Sequence, residues 1–148
     1  MRLSALLALP LVLALPASAQ TGTEVGPDVR LAHERMLVLD THLDIPARWD
    51  DGEWDFAERH RYEWDLSQVD LPRMEEGGLD GGFFVIYTAQ GELTPEGYRT
   101  ARDAALVRAA SIHRVVAANH DKIALALSAD DAEGLHAQGP RLAFISMS

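Results

Sequence analysis

Met36-Leu37-Val38-Leu39-Asp40-Thr41-His42-Leu43-Asp44 is the stretch on which the reading of this chain turns. Four apolar residues in a row, closed by an aspartate, form the pattern of a strand buried on both faces of a parallel sheet. Met36–Leu39 is therefore predicted as the first strand, with a polar segment at its carboxyl end. In extended backbone alternate residues share a side, so Asp40, His42 and Asp44 are expected to project together.

Outward from that stretch, strands and helices alternate. Phe83–Tyr87, Lys122–Leu127 and Arg141–Met147 read as further strands. Pro27–Arg35 reads as a short opening helix, with Pro27 early, where its missing N–H does no harm. Ser67 is predicted to cap a helix through Glu76 that Gly77-Gly78 ends. Thr94-Pro95-Glu96 reads as cap, first helical position and acidic first turn. The helix it opens carries an apolar stripe of Tyr98, Ala101, Ala105, Ala109, Ile112 and Val116. Ala129–His136 is a last short helix. This order argues α/β, a parallel sheet with right-handed crossovers, either open and doubly wound or part of a barrel. The expected fold is the amino-terminal half, about four βα units, of a TIM-type (β/α)8 barrel, truncated relative to the roughly 250 residues a whole barrel takes.

The 148 residues are 47% hydrophobic and 24% charged, as in soluble globular domains. Thirteen basic against 23 acidic residues leave a net charge of −10, and Lys122 is the only lysine. Such a chain has no electrostatic footprint for nucleic acid or anionic lipid. With no cysteine, disulfides, thiolate metal sites and a cysteine nucleophile are excluded, so any metal must be held by His, Asp or Glu. Residues 1–19 read as a signal peptide: Arg2, an apolar run from Leu3 to Pro16, then Ala17-Ser18-Ala19. Cleavage between Ala19 and Gln20 would leave residues 20–148 as an exported domain, periplasmic or secreted, with no membrane span.

His42 and Asp44 then stand at the carboxyl end of a strand, where α/β barrels keep their sites. Imidazole and carboxylate are workable ligands for zinc or another divalent ion. Leu37-Val-Leu-Asp-Thr-His-Leu-Asp-Ile-Pro46 resembles the opening signature of the membrane (renal) dipeptidase family of zinc metallopeptidases. Gln68-Val-Asp70-Leu-Pro-Arg73-Met-Glu-Glu-Gly77-Gly78, followed by the strand from Gly82 to Tyr87, resembles that family's next segment. The resemblance spans roughly residues 30–148 and is specific mainly at 37–46 and 68–87. It implies a barrel hydrolase in which two zinc ions activate a water against the peptide bond of a dipeptide. On it, His42 and Asp44 match the first two metal ligands, and Asp40 is expected behind them, as a supporting partner and not as a ligand. The family's bridging glutamate would fall at or just beyond Ser148. The histidines of the second metal, and the groups that read the dipeptide's termini, would lie on later strands. No catalytic residue is therefore identified, and the chain by itself is expected to be an incomplete, inactive fragment. Dipeptides are its expected substrates, and a homo-oligomer is compatible with the sequence.

Other features carry plainer readings. Trp49, Trp54 and Trp64 lie among acidic residues in the segment after His42, read as a solvated loop anchored by aromatics that can also wall the substrate pocket. Asp50–Asp55 lacks the ligand spacing of a calcium loop. His60 and Glu63 share a helical turn, and His113 and His120 read as structural. Asp40-Thr-His42 together with Asn119-His120-Asp121 matches two pieces of a metallophosphoesterase, the less favoured enzyme reading. The non-enzyme alternative is an exported α/β module without catalysis.

Overall fold

A computed structural model describes residues 25–50 and 52–148. The signal peptide expected over residues 1–19, with cleavage after Ala19, lies outside them. Among the described residues no helix is long and apolar enough to cross a membrane.

Helix α1 (Pro27–Glu34) opens on Pro27 as expected, and none of its residues is buried. Strand β1 spans Leu39–Leu43, later than the run that predicts it. Met36 and Leu37 are exposed, because they turn the chain out of α1 before the sheet begins. A 3-10 turn (Ile45–Arg48) and a single helical turn, α2 (Tyr62–Asp65), punctuate the long connection. Helix α3 runs from Leu71 to Gly77. Its cap is Asp70, which accepts the Arg73 N–H, and not Ser67; Pro72 suits the first turn that Asp70 opens. Gly78, at φ 68°, ends α3 in the left-handed conformation that glycine adopts without strain. Strand β2 (Gly81–Ile86) follows, then the 24-residue helix α4 (Pro95–Ala118), capped by the Thr94 side chain as its sequence predicts. Strand β3 (Ile123–Leu125), helix α5 (Ala129–His136) and strand β4 (Arg141–Met147) complete the order.

All four strands are parallel, in the α/β arrangement expected, with spatial order β1-β2-β4-β3. Strand β4 therefore lies beside β2, and β3 stands outside it. The reason is burial: β4 pairs with β2 continuously from Gly81↔Leu142 to Ile86↔Met147. Strand β3 reaches only three residues of β4, Arg141 to Ala143. A strand between two neighbours needs length and two apolar faces, which β4 has and β3 lacks.

The core on the α4 side unites Leu43, Ile45, Trp49, Phe56, Met74, Phe84, Ile86, Ile112, Val116 and Ile123. On the opposite side Leu142 packs with Ala126 and Ala132, joined by Leu39, Leu135 and Phe144. Of the stripe predicted for α4, Ile112 and Val116 are buried and the alanines half-buried, while Tyr98 is exposed on the first turn.

The pairing of β1 with β2 contains one irregularity that places the polar residues. Asp40 is in register with Gly82, but Leu43 with Phe84, so three steps on β1 match two on β2. This is a β-bulge around Thr41 and His42. Its effect shows in the packing: Leu39 and Leu43 would share a face of a regular strand, yet they join opposite core clusters. Asp40 thus keeps the phase of Gly82, and Leu43 that of Phe84. Asp40, His42 and Asp44, expected to project together, all line one cleft at this strand. Gly82 is needed for the fit, since a Cβ there would sit 2.5 Å from Leu43 Cδ1.

Asp70 is fully buried and ties three parts of the chain. Oδ1 accepts the Arg73 N–H, and Oδ2 accepts Arg73 Nε at 2.7 Å and the His60 N–H at 2.8 Å. Arg73 in turn donates to the Ser67 carbonyl and hydroxyl, both at 3.0 Å. Asp70→Ala leaves the guanidinium without its counter-charge and α3 without its cap. Urea unfolding is expected to show a loss of about 3–5 kcal/mol. A loss below about 1 kcal/mol, the level of an exposed ion pair, would show that this clamp does not hold the segment.

Candidate metal centre

Strand β1 delivers its polar residues to a cleft of about 510 Å3. Two stretches of chain contribute to its lining, one with Asp40, His42, Asp44 and Arg48, the other with Leu66, Ser67, Gln68 and Arg73. The His42 and Asp44 side chains meet, Nε2 to Oδ1 at 3.2 Å, with 53% and 66% of their surfaces exposed. Asp40 does something different. Its Oδ1 accepts the backbone N–H of His42 at 2.8 Å, giving a partner to an amide at the bulge, where the sheet ladder is interrupted. Asp40 therefore acts on His42 through the backbone.

His42 and Asp44 are two donors that could share one divalent ion. Two ligands of a tetrahedral zinc, each about 2.0–2.1 Å from it, lie roughly 3.3 Å apart. The His42–Asp44 separation of 3.2 Å matches that spacing. Among the described residues no three of His, Asp, Glu and Cys gather to hold an ion.

The second stretch is held by contacts that sequence reasoning did not find. Asp65 Oδ2 accepts the Trp54 indole N–H at 2.9 Å and lies 3.0 Å from His60 Nδ1. Asp65 Oδ1 accepts the Ser67 N–H, and the Asp65 carbonyl accepts Arg48 Nη2. His60 lies flat on Trp54, ring centroids 3.9 Å apart, so its partners are Trp54 and Asp65 where the helical spacing suggested Glu63. Only the Asp65–Ser67 spacing, an Asx-type turn, leaves a local trace in the sequence. Leu66, held between these bonds, has φ 60°, the left-handed region, and it is the sole non-glycine there among the described residues. That conformation costs of order 1 kcal/mol and persists where neighbours over-determine it.

The tryptophans divide. Trp49 and Phe56 are buried against Phe84, Trp54 is half-buried, and Trp64 is exposed beneath Arg61. Asp50 is held by the Arg108 fork at 2.8–3.1 Å and by Ser111, which fastens the segment to α4. Asn119 caps the carboxyl end of α4, so His120 and Asp121 precede β3. In a parallel sheet that is the end opposite His42, and the two halves of a metallophosphoesterase site do not meet.

The family model of membrane dipeptidases, peptidase family M19, matches residues 28–148. No curated protein matches the chain by sequence. Among solved structures, the probable dipeptidase PvdM from Pseudomonas aeruginosa superposes with a TM-score of 0.68 at 21% identity, over 80% of this chain and 29% of that one. Dipeptidase AC, a metallopeptidase of family M19, gives 0.60 at 26% identity over 76% and 35%. A Rhodobacter sphaeroides metallopeptidase liganded with a phosphinate mimic of the dipeptide L-Ala-D-Ala gives 0.59 at 22% identity over 76% and 38%. The chain thus spans about a third of the length of these structures.

The Ser67 hydroxyl, the Trp54 indole N–H and the Ser67 backbone N–H hold the Asp65 carboxyl well below the usual carboxylate range. Each of them bonds the charged form more strongly than the neutral one. With the folded pKa depressed below an unfolded value of about 3.9, the stabilisation is complete above about pH 5. It is lost as pH falls through the unfolded value toward the folded one. In urea unfolding between pH 7 and pH 3, the gap between the wild type and Asp65→Asn is expected to narrow below about pH 4. A gap that stays constant to pH 3 would contradict the ionised clamp.

Proposed function

Because this chain belongs to the membrane dipeptidase family, we propose that its residues serve zinc-dependent hydrolysis of dipeptides, with His42 and Asp44 as two ligands of one ion. The observation that carries the proposal is the pairing of His42 Nε2 and Asp44 Oδ1 across 3.2 Å at an open cleft. The phosphinate mimic of L-Ala-D-Ala in the Rhodobacter sphaeroides relative supports dipeptides as the substrate class. A bound zinc ion supplies Lewis acidity, acidifying water and polarising the scissile carbonyl.

The chain's own residues do the positioning. His42 offers an imidazole lone pair, and the Asp44 carboxylate offsets part of the ion's charge. Asp40 holds the bulge that turns His42 toward Asp44, through the bond to the His42 N–H. Arg73, fixed by Asp70 and Ser67, and Arg48, bonded to the Asp65 carbonyl, keep the second stretch of the lining in place. Two ligands hold an ion weakly, so the chain by itself is proposed to be inactive. The family's two-ion site would draw its remaining ligands from outside the described residues. Export after cleavage between Ala19 and Gln20 belongs to the same proposal.

Zinc titration calorimetry tests it. The wild type is expected to bind one ion, and His42→Ala or Asp44→Ala to weaken binding at least about tenfold. Asp40→Ala should weaken it less, whereas Asp40→Asn, which keeps an acceptor oxygen, should retain most of it. Unchanged zinc affinity in the double variant lacking both His42 and Asp44 would end the assignment.

A further inference from the structure

The cleft has a second half that metal binding leaves unexplained. Leu66 lines the same cleft as His42 and Asp44, and it is 64% exposed. It is also the residue held at φ 60°, ψ 14°. An exposed leucine in the left-handed region is disfavoured twice, by its backbone and by its contact with water. Glycine or asparagine would end α2 there with less strain.

The chain is tied on both sides of it. The Leu66 N–H donates to the Tyr62 carbonyl at 2.8 Å. The preceding carbonyl, of Asp65, accepts Arg48 Nη2, and the Asp65 carboxylate grips Trp54, His60 and the Ser67 N–H on either side of it. Strained residues fixed by surrounding contacts cluster where a ligand is clamped. Arg48 links the two stretches directly, since it follows the strand that carries His42 and bonds the residue before Leu66.

We propose that Leu66 is a specificity-determining residue: its side chain forms the apolar wall that receives an apolar side chain of the dipeptide. This rests on the dipeptide-hydrolysis reading above. His42 and Asp44 would hold the ion at the substrate's polar centre, and Leu66, which lines the same cleft, offers exposed apolar surface to a side chain next to the peptide bond. The ligand class is then dipeptides with aliphatic side chains, in preference to glycyl-glycine.

The test is an NMR titration of the zinc-loaded chain with leucyl-leucine and with glycyl-glycine, on wild type, Leu66→Gly and Leu66→Asn. The wild type is expected to favour leucyl-leucine by about tenfold, as one apolar contact surface allows. Both variants should bring the ratio close to one with zinc affinity unchanged. The melting temperature of Leu66→Gly should hold or rise, because glycine adopts the left-handed conformation freely. A variant that keeps the wild-type preference overturns the proposal and leaves dipeptide binding standing. So does a fall of several degrees in the melting temperature of both variants, which would make Leu66 a packing residue. A wild type that binds zinc but neither dipeptide overturns this proposal, whereas a wild type that binds no zinc overturns the dipeptide reading and this proposal with it.

Discussion

In the pairing of β1 with β2, three residues of one strand are accommodated against two of the other. Backbone amides at such a point leave the ladder and need another acceptor if they are not to be left to solvent. Asp40 provides it for His42. The consequence is a change of phase: Leu39 packs with the opposite cluster and Leu43 turns into the α4-side core. Without the extra residue, Leu43 would leave the core occupied by Phe84 and Ile112. Core packing and site geometry therefore depend on the same irregularity. Gly82 permits it, because Leu43 occupies the space a side chain at that position would need.

The second constraint is electrostatic and lies in the connection between β1 and α3. Two carboxylates, Asp65 and Asp70, organise it from within. Asp70 satisfies the helix cap, the Arg73 guanidinium and the His60 amide, so a fully buried charge is left with no unmet bonds of consequence. Asp65 gathers Trp54, His60 and Ser67. Between them stands Leu66, whose backbone bears the strain of that closure. The aromatic residues of the same connection serve the core: Trp49, Phe56 and Phe84 pack within 6 Å of one another. The Asp50–Arg108 fork and the bond from Arg114 to the Trp49 carbonyl hold the segment against α4. A stretch that looks polar and solvent-directed in composition is thus a tightly bonded wall of the cleft.

Element types were largely legible. Continuous apolar runs gave β2 and β4, proline and threonine marked the start of α4, and α5 and β4 match their predicted bounds. These signals are local: a cap, a fixed φ or a period of apolar residues acts within a few positions. The errors fall where the choice is not local. Ser67 and Asp70 are both good caps by chemistry, and the Arg73 guanidinium, paired with the buried carboxylate, decides for Asp70. Met36 and Leu37 are apolar enough for a strand, but the turn out of α1 exposes them. His60 reads equally well beside Glu63 until the chain folds it onto Trp54.

What the sequence determined by itself is the α/β class, the acidic surface charge, the exclusion of thiol chemistry, and His42 and Asp44 as the donors to watch. All of these follow from residue identity and short-range spacing. Tertiary structure alone decided that β4 lies between β2 and β3, that Asp40 serves the backbone of His42, and that Leu66 lines the cleft of His42 and Asp44 in a left-handed conformation. Each of those depends on which segments compete for the same buried surface or the same hydrogen-bond donor. That competition is settled by residues far apart in the chain, at Asp40 and Gly82, Asp50 and Arg108, and Arg48 and Asp65. Local pattern specifies what an element is, whereas the packing of distant elements specifies which of its side chains meet.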